Sequence, residues 1–190
     1  TLWPWLYARV YSDNWRVLNA DMRRSVTEAI GAGPDNTLII AHLPMPHAPF
    51  VFGEDGVYRG PYRGERMSSD SVGYARHLLY TDAVLGEILG ALDRSGRLDR
   101  SLLVVTSDHA WRKEPDSALA ATPDDVLRVP LVIKWPGQTR PMVSDDRFCA
   151  LGFGPIFQAA LAPADGEPPA LSDSLWRVIS EEGRSRVCVR

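Results

Sequence analysis

Apolar positions divide the chain into a small number of elements. Trp15, Leu18, Met22, Val26 and Ile30 recur every third or fourth residue, the spacing of one helix face, with Ser12 or Asp13 ahead and Gly31 behind. Upstream, Trp3, Trp5, Tyr7 and Tyr11 stand at odd positions around Pro4, which predicts a short extended edge segment. Past the turn Gly33-Pro34-Asp35, the run Thr37-Leu38-Ile39-Ile40-Ala41 reads as a buried strand. No period runs from His42 to Ser69, and a patternless stretch of that length is either functional or disordered. Asp70 to Asp93 then predicts a long helix. Leu78, Leu85, Leu89 and Leu92 form its inner face with Ile88 beside them, Ser68, Ser69 or Asp70 caps it, Gly96 ends it, and His77 falls on its surface.

Leu102-Leu103-Val104-Val105-Thr106 is the clearest strand, and Leu131-Val132-Ile133-Lys134 is another, bounded by Pro130 and Pro136-Gly137. An amphipathic helix is predicted from Pro155 through Ile156, Phe157, Ala160 and Leu161. Beyond Pro163 the chain reads as loose, with a short helix around Leu175 to Ile179. The order strand, helix, strand around Leu38, Leu85 and Val104 is a βαβ unit, which demands parallel strands and a right-handed crossover. Both strands are apolar throughout, as when helices cover both faces. The expected fold is therefore α/β, a largely parallel sheet flanked by helices. It is expected as one domain over residues 1–190, with its core in 36–162 and a loosely structured tail in 163–190.

Composition narrows the partners. Lys and Arg total 21 against 24 Asp and Glu, a net charge of −3 that gives no broad reason to bind nucleic acid or an anionic membrane. Hydrophobic residues at 45% suffice for a real core. No apolar stretch approaches the roughly 20 residues that span a bilayer. Thr1 is not a start methionine, so further sequence is expected upstream. Cys149 and Cys188 leave both a disulfide and two buried thiols open, while the absence of any Cys-x-x-Cys excludes a zinc ribbon.

In an open α/β sheet, ligands bind beyond the carboxyl ends of the strands. His42 and His47 follow the Thr37–Ala41 run, and Ser107-Asp108-His109 follows Thr106, so three of the four histidines are expected at one sheet edge beside an aspartate. A carboxylate and an imidazole suit a divalent ion, Zn or Mn foremost, with Ca or Mg served by the carboxylate. Asp108 and His109 can share an ion only where the strand ends and the backbone turns. Equally, Asp108 caps a turn and His109 is a hydrogen-bonded surface histidine. Two ligands fall short of the three that even a catalytic zinc takes from protein, so the site in this chain is expected to be incomplete. If the βαβ unit forms, His47 lies within about 10 Å of the Asp108–His109 pair, the span of a metal and one anion.

Several stretches together resemble a known family. Tyr80-Thr81-Asp82, Leu85-Gly86, Leu92, Gly96, Leu98, Ser101 and Thr106-Ser107-Asp108-His109 are similar to the alkaline phosphatase superfamily. Pro46-His47-Ala48-Pro49-Phe50 matches the His-x-Pro element of its sulfatases. Val129-Pro130-Leu131-Val132-Ile133-Lys134-Trp135-Pro136-Gly137 matches the strand and turn after their Asp-His motif. The resemblance covers Asn36 to Ala162 and extends to lipoteichoic acid synthase and phosphoethanolamine transferase enzymes. It implies the carboxyl-terminal part of the catalytic domain, an incomplete sulfatase-like fold. By the same resemblance, Asp108 and His109 are ligands of a divalent ion (Ca, Mg, Mn or Zn), and His47 is the catalytic and substrate-binding histidine that meets the transferred group of an anionic ester. His42 has no firm counterpart in the family and is carried as a substrate-binding or supporting candidate, while Asp82 matches a recurrent helix position where packing or capping is expected rather than catalysis.

Departures from the pattern are equally informative. The family's usual glycine after Asp-His is Ala110 here, and neither Cys-x-Pro-x-Arg nor Ser-x-Pro-x-Arg, the nucleophile signature of sulfatases, occurs. The chain is therefore expected to lack the nucleophile half and to be inactive alone. The alternatives are a non-catalytic sulfatase-like binding module and a phosphodiesterase or phosphoethanolamine- or glycerophosphate-transferase relative. The Pro-His-Ala-Pro-Phe variant with Asp55-Gly56 and Lys134-Trp135-Pro136-Gly137-Gln138 looks most like membrane-bound sulfatase-like proteins. That implies a full-length protein anchored through upstream segments, with this domain on the extracytoplasmic face. Arg59, Arg63 and Arg66 either steer an anionic substrate or form a solvated loop face.

Overall fold

A long helix opens the chain. In the computed structural model, which describes residues 3–60, 71–110, 129–144, 148 and 152–161, α1 spans Trp3–Ala32. The extended edge segment expected around Trp3 to Tyr11 is thus corrected to helix. Proline is tolerated in the first turn of a helix, where its missing N–H has no intrahelical carbonyl to meet, so Pro4 starts α1 rather than limiting a strand. The second helix, α2, runs Ser71–Arg94. It closes on Gly96, whose φ of 66° accompanies N–H bonds from Gly96 to the Asp93 carbonyl and from Arg97 to that of Leu92. These are the paired bonds of a glycine-terminated helix, as the sequence predicts.

The described residues fall into two compact units, one in Thr1–Arg97 and the other in Leu98–Ala110 and Thr122–Arg190. The first is built on α1 packed against α2. Its core is Met45, Val51, Phe52, Tyr80 and Val84, with Trp15, Leu43, Tyr58 and Ile88 against it. Fully burying side chains of this size contributes about 1.5–3 kcal/mol each.

The faces that pack differ from those expected. On α1, Leu18 is exposed while Asn19 beside it is 2% accessible. On α2, Gly73, His77, Tyr80, Val84, Ala91 and Leu92 are buried, whereas Leu78 and Leu89 face solvent. His77, expected on the surface, is fully buried. The aromatic loop 50–58 selects this face, since Phe50, Phe52 and Tyr58 offer rings to His77 and Tyr80 and a donor to Asp13, which a leucine stripe does not match.

The Thr37–Ala41 run is irregular backbone here, with Leu38 71% and Ile40 85% accessible. A strand exists only through pairing with a neighbour. None pairs with this run among the described residues, so among them the expected βαβ unit is not formed. The sheet that is present has two strands, β1 at Leu103–Thr106 and β2 at Leu131–Lys134, paired antiparallel with Leu103 opposite Lys134 and Thr106 opposite Leu131. Both strands lie where the sequence places them.

That sheet belongs to the second unit. Trp135 is buried at the end of β2, and Gly137, at φ 70°, follows Pro136 in a turn closed by the Gln138 N–H on the Trp135 carbonyl. The Gly137 N–H and the Lys134 ammonium both donate to the Asp99 carbonyl, which ties the turn to the segment entering β1. The last helix, α3, spans Phe153–Leu161 with Ile156 buried. The helix expected at Leu175 to Ile179, the 163–190 tail, Arg63, Arg66 and both cysteines lie outside the described residues.

Candidate active site

Two groups of sequence-predicted residues stand in the two units. Asp108 and His109 follow β1 directly and are brought together. The Asp108 carboxylate accepts the His109 backbone N–H at 3.0 Å, and its other oxygen is 3.8 Å from His109 Nε2. The Ser107 hydroxyl donates to the His109 carbonyl at 2.8 Å, so the backbone turns sharply as the strand ends. His109 Nδ1 donates to the Ala110 carbonyl at 2.7 Å. A carbonyl only accepts, so Nδ1 carries a proton and, in the neutral ring, Nε2 carries the lone pair, the arrangement by which a backbone carbonyl orients a metal-bound imidazole.

With ligand bonds of roughly 2.0–2.5 Å, one divalent ion can span a 3.8 Å gap between Oδ2 and Nε2. The pair fits an ion in geometry and tautomer. No group of three or more such ligands occurs among the described residues. Ala110 costs nothing in backbone strain, because Asn36 is the sole non-glycine residue at positive φ among those described.

His42 and His47 belong to the first unit. His42 is exposed on irregular chain. His47 is exposed too, but its ring is held. Its N–H donates to the Pro44 carbonyl at 3.1 Å, its Nδ1 to the Ala48 carbonyl at 2.5 Å, and its face stacks on Trp15 with ring centres 5.8 Å apart and planes within 7°. The peptides Met45-Pro46 and Ala48-Pro49 on either side are cis.

The loop behind His47 is ordered by a turn that periodicity could not reveal. Phe52 pairs with Tyr58 as an antiparallel bridge, Gly53 N–H reaches the Val57 carbonyl, and Arg59 N–H reaches that of Val51. Gly56 makes the bend at φ 73°. The Val57 N–H, then Arg59, hold the Asp55 carboxyl below its ordinary range. Arg59 spends its charge on Asp55 at 2.5 Å, on an exposed face. The signal for this turn was present in Gly53-Glu54-Asp55-Gly56.

Beneath the loop lies His77, the residue sequence reasoning missed. Its Nε2 accepts the Phe52 N–H at 3.1 Å, and Phe50 meets it edge-on at 5.2 Å. Burial pushes its pKa from 6.5 to about 4, opposed in part by the His47 and Pro46 backbone. Those groups lie outside hydrogen-bond geometry, so among the described residues Nδ1 is a buried nitrogen without a hydrogen-bond partner. Nothing in the leucine pattern of α2 distinguishes His77 from a surface histidine.

The family model for sulfatases matches residues 2–151, well over half of the 190, and the chain belongs to the sulfatase family. Members are α/β hydrolases that generally use divalent metal ions. The match reaches back through α1, beyond the Asn36 start of the resemblance read from motifs. No curated protein and no solved structure matches the chain significantly. Among the described residues, no helix is long and apolar enough to cross a membrane.

Proposed function

We propose that the chain forms part of a metal-dependent sulfatase-like hydrolase of anionic sulfate esters, or of phosphate esters, in which Asp108 and His109 hold the ion and His47 meets the ester. The observation that carries this reading is the Asp108–His109 geometry, a 3.8 Å gap with Nδ1 already committed to Ala110. A bound divalent ion would supply charge to offset the non-bridging oxygens of the ester.

Proton transfer belongs to the chain's own residues. With Nδ1–H on the Ala48 carbonyl, the neutral His47 ring carries its lone pair on Nε2, which takes a proton from a hydroxyl; the imidazolium donates from the same atom to an ester oxygen. His42 is proposed as a substrate contact. For the intact enzyme we propose a largely parallel sheet flanked by helices, which Thr37–Ala41 joins. The nucleophile, and an anchor holding the domain on the extracytoplasmic face as in membrane-bound sulfatase-like proteins, would come from outside these residues.

The absence of a Cys- or Ser-x-Pro-x-Arg signature favours a second reading, a non-catalytic sulfatase-like binding module; a phosphotransferase relative is the third. The test is manganese binding followed by electron paramagnetic resonance in the chain extended upstream. Binding abolished by Asp108→Asn and His109→Ala is expected, and binding unchanged in both refutes the assignment.

A further inference from the structure

We infer that Trp15 of α1 is a positioning residue for His47, fixing the plane in which the imidazole meets an anionic ester; this rests on the substrate reading of His47 given above. Contacts on its backbone, its Nδ1 and its face hold the ring. The Pro44 carbonyl holds its backbone, the Ala48 carbonyl takes Nδ1–H, and the Trp15 indole covers one face at 5.8 Å and 7°. The first two set the chain and the rotation of the ring; the third sets its plane.

Trp15 is suited to this because it is itself immobilised. It packs on the Met45, Val51, Phe52, Tyr80 and Val84 core, so its indole is a wall rather than a second mobile group. The same turn of α1 grips the loop again. Asp13 accepts the Tyr58 hydroxyl at 2.9 Å and Arg16 lies 5.5 Å over the Tyr58 ring, while Tyr58 pairs through its backbone with Phe52. The helix therefore holds both limbs of the loop, with Trp15 at the His47 end. An exposed imidazole with no such wall would rotate, and an anion binding to it would have to immobilise it. Stacking removes that cost before the anion arrives.

The experiment is histidine nuclear magnetic resonance on the full 190-residue chain, with sulfate as the probe and chloride at matched ionic strength as the control. In the parent chain, His47 ring protons are shifted upfield by the indole, long-range nitrogen correlations report the Nδ1–H form, and sulfate moves these signals. In Trp15→Ala the upfield shift vanishes, both tautomers appear, and sulfate binds between about twofold and tenfold more weakly, the range for immobilising one side chain on binding. Trp15→Phe, which keeps a ring on the same core, restores sulfate affinity and the single tautomer; that rescue separates positioning from a general loss of fold. Unchanged sulfate affinity and a retained single tautomer in Trp15→Ala overturn the positioning role and leave the substrate reading standing. Sulfate that leaves His47 unmoved in the parent chain overturns the substrate reading instead.

Discussion

His77 is where burial and ionisation conflict most sharply. The ring is fully buried, accepts one N–H, and is desolvated enough to hold its pKa near 4 against 6.5 when exposed. Between those values the unfolded chain binds a proton that the folded chain refuses. Stability contributed by the neutral ring is complete above about pH 6.5, falls as pH drops toward 4, and levels off below it, a total of roughly 3 kcal/mol. Urea denaturation at pH 7 and pH 4.5 should show this loss in the parent chain and a clearly smaller one in His77→Gln. Equal acid losses in both would remove His77 as the cause. Gly56 makes a second residue-level case. At φ 73°, with a Cβ there meeting the Tyr80 ring at 2.5 Å, Gly56→Ala combines backbone strain with a clash. A loss of about 1–3 kcal/mol is expected by thermal or chemical melting; a neutral result would mean the 53–57 turn relaxes freely.

At the scale of elements, α1 and α2 are joined by polar contacts of unequal worth, Arg23 to Glu87, Arg23 to the Tyr80 hydroxyl, and Tyr80 to Asn19 among them. Arg23 chelates Glu87 through distances of 2.5 to 3.0 Å, which raises its pKa, Glu87 first among the causes. The pair is largely in water, where such bridges are worth about 0–1 kcal/mol. Asn19 is different, since it is buried and its Oδ1 accepts the Tyr80 hydroxyl at 2.9 Å. Taking that acceptor away leaves the buried Tyr80 O–H with nothing to donate to, although Arg23 still donates to its oxygen at 2.6 Å, at a cost of about 1–3 kcal/mol. Urea midpoints should therefore fall clearly for Asn19→Ala and barely for Glu87→Gln, and the reverse order would contradict the packing described. The same contrast explains what periodicity could and could not convey. Helix positions, the Gly96 stop, β1 and β2 follow from apolar spacing and turn residues, all local properties. Which face of α2 is buried does not, because the leucine stripe and the His77–Tyr80–Val84 stripe are both plausible until the aromatic loop is placed. Thr37–Ala41 shows the converse: its composition suits a strand, but strand formation needs a pairing partner.

For the whole molecule, the deciding quantity under the proposed function is how many metal ligands these residues supply. Asp108 and His109 were legible as a pair from Thr-Ser-Asp-His at the end of a strong strand, and the second unit places their side chains 3.8 Å apart, the separation on which the proposed ligand role rests. The shared edge with His47 was a deduction from the βαβ unit and loses that support when Thr37–Ala41 is unpaired. Two ligands give weak binding, so the dissociation constant should exceed tens of micromolar. A ligand stabilises by RT ln(1 + [L]/Kd), roughly 2.7 kcal/mol at a hundredfold excess over Kd but only about 0.4 kcal/mol when the two are equal. Zn²⁺, Mn²⁺ or Ca²⁺ at tens of micromolar should therefore raise the melting temperature of this chain by no more than about 2–3 °C. A chelator should change it as little, and aryl sulfate turnover should be absent. Sequence added upstream that completes the ligand set should turn this into a large metal-dependent shift, cancelled by Asp108→Asn. If the 190-residue chain itself melts far lower after chelation, and Asp108→Asn removes that effect, the ligand set is already complete within these residues. The chain would then be a self-contained metal-binding module, and the division of the site between this chain and upstream sequence would be wrong.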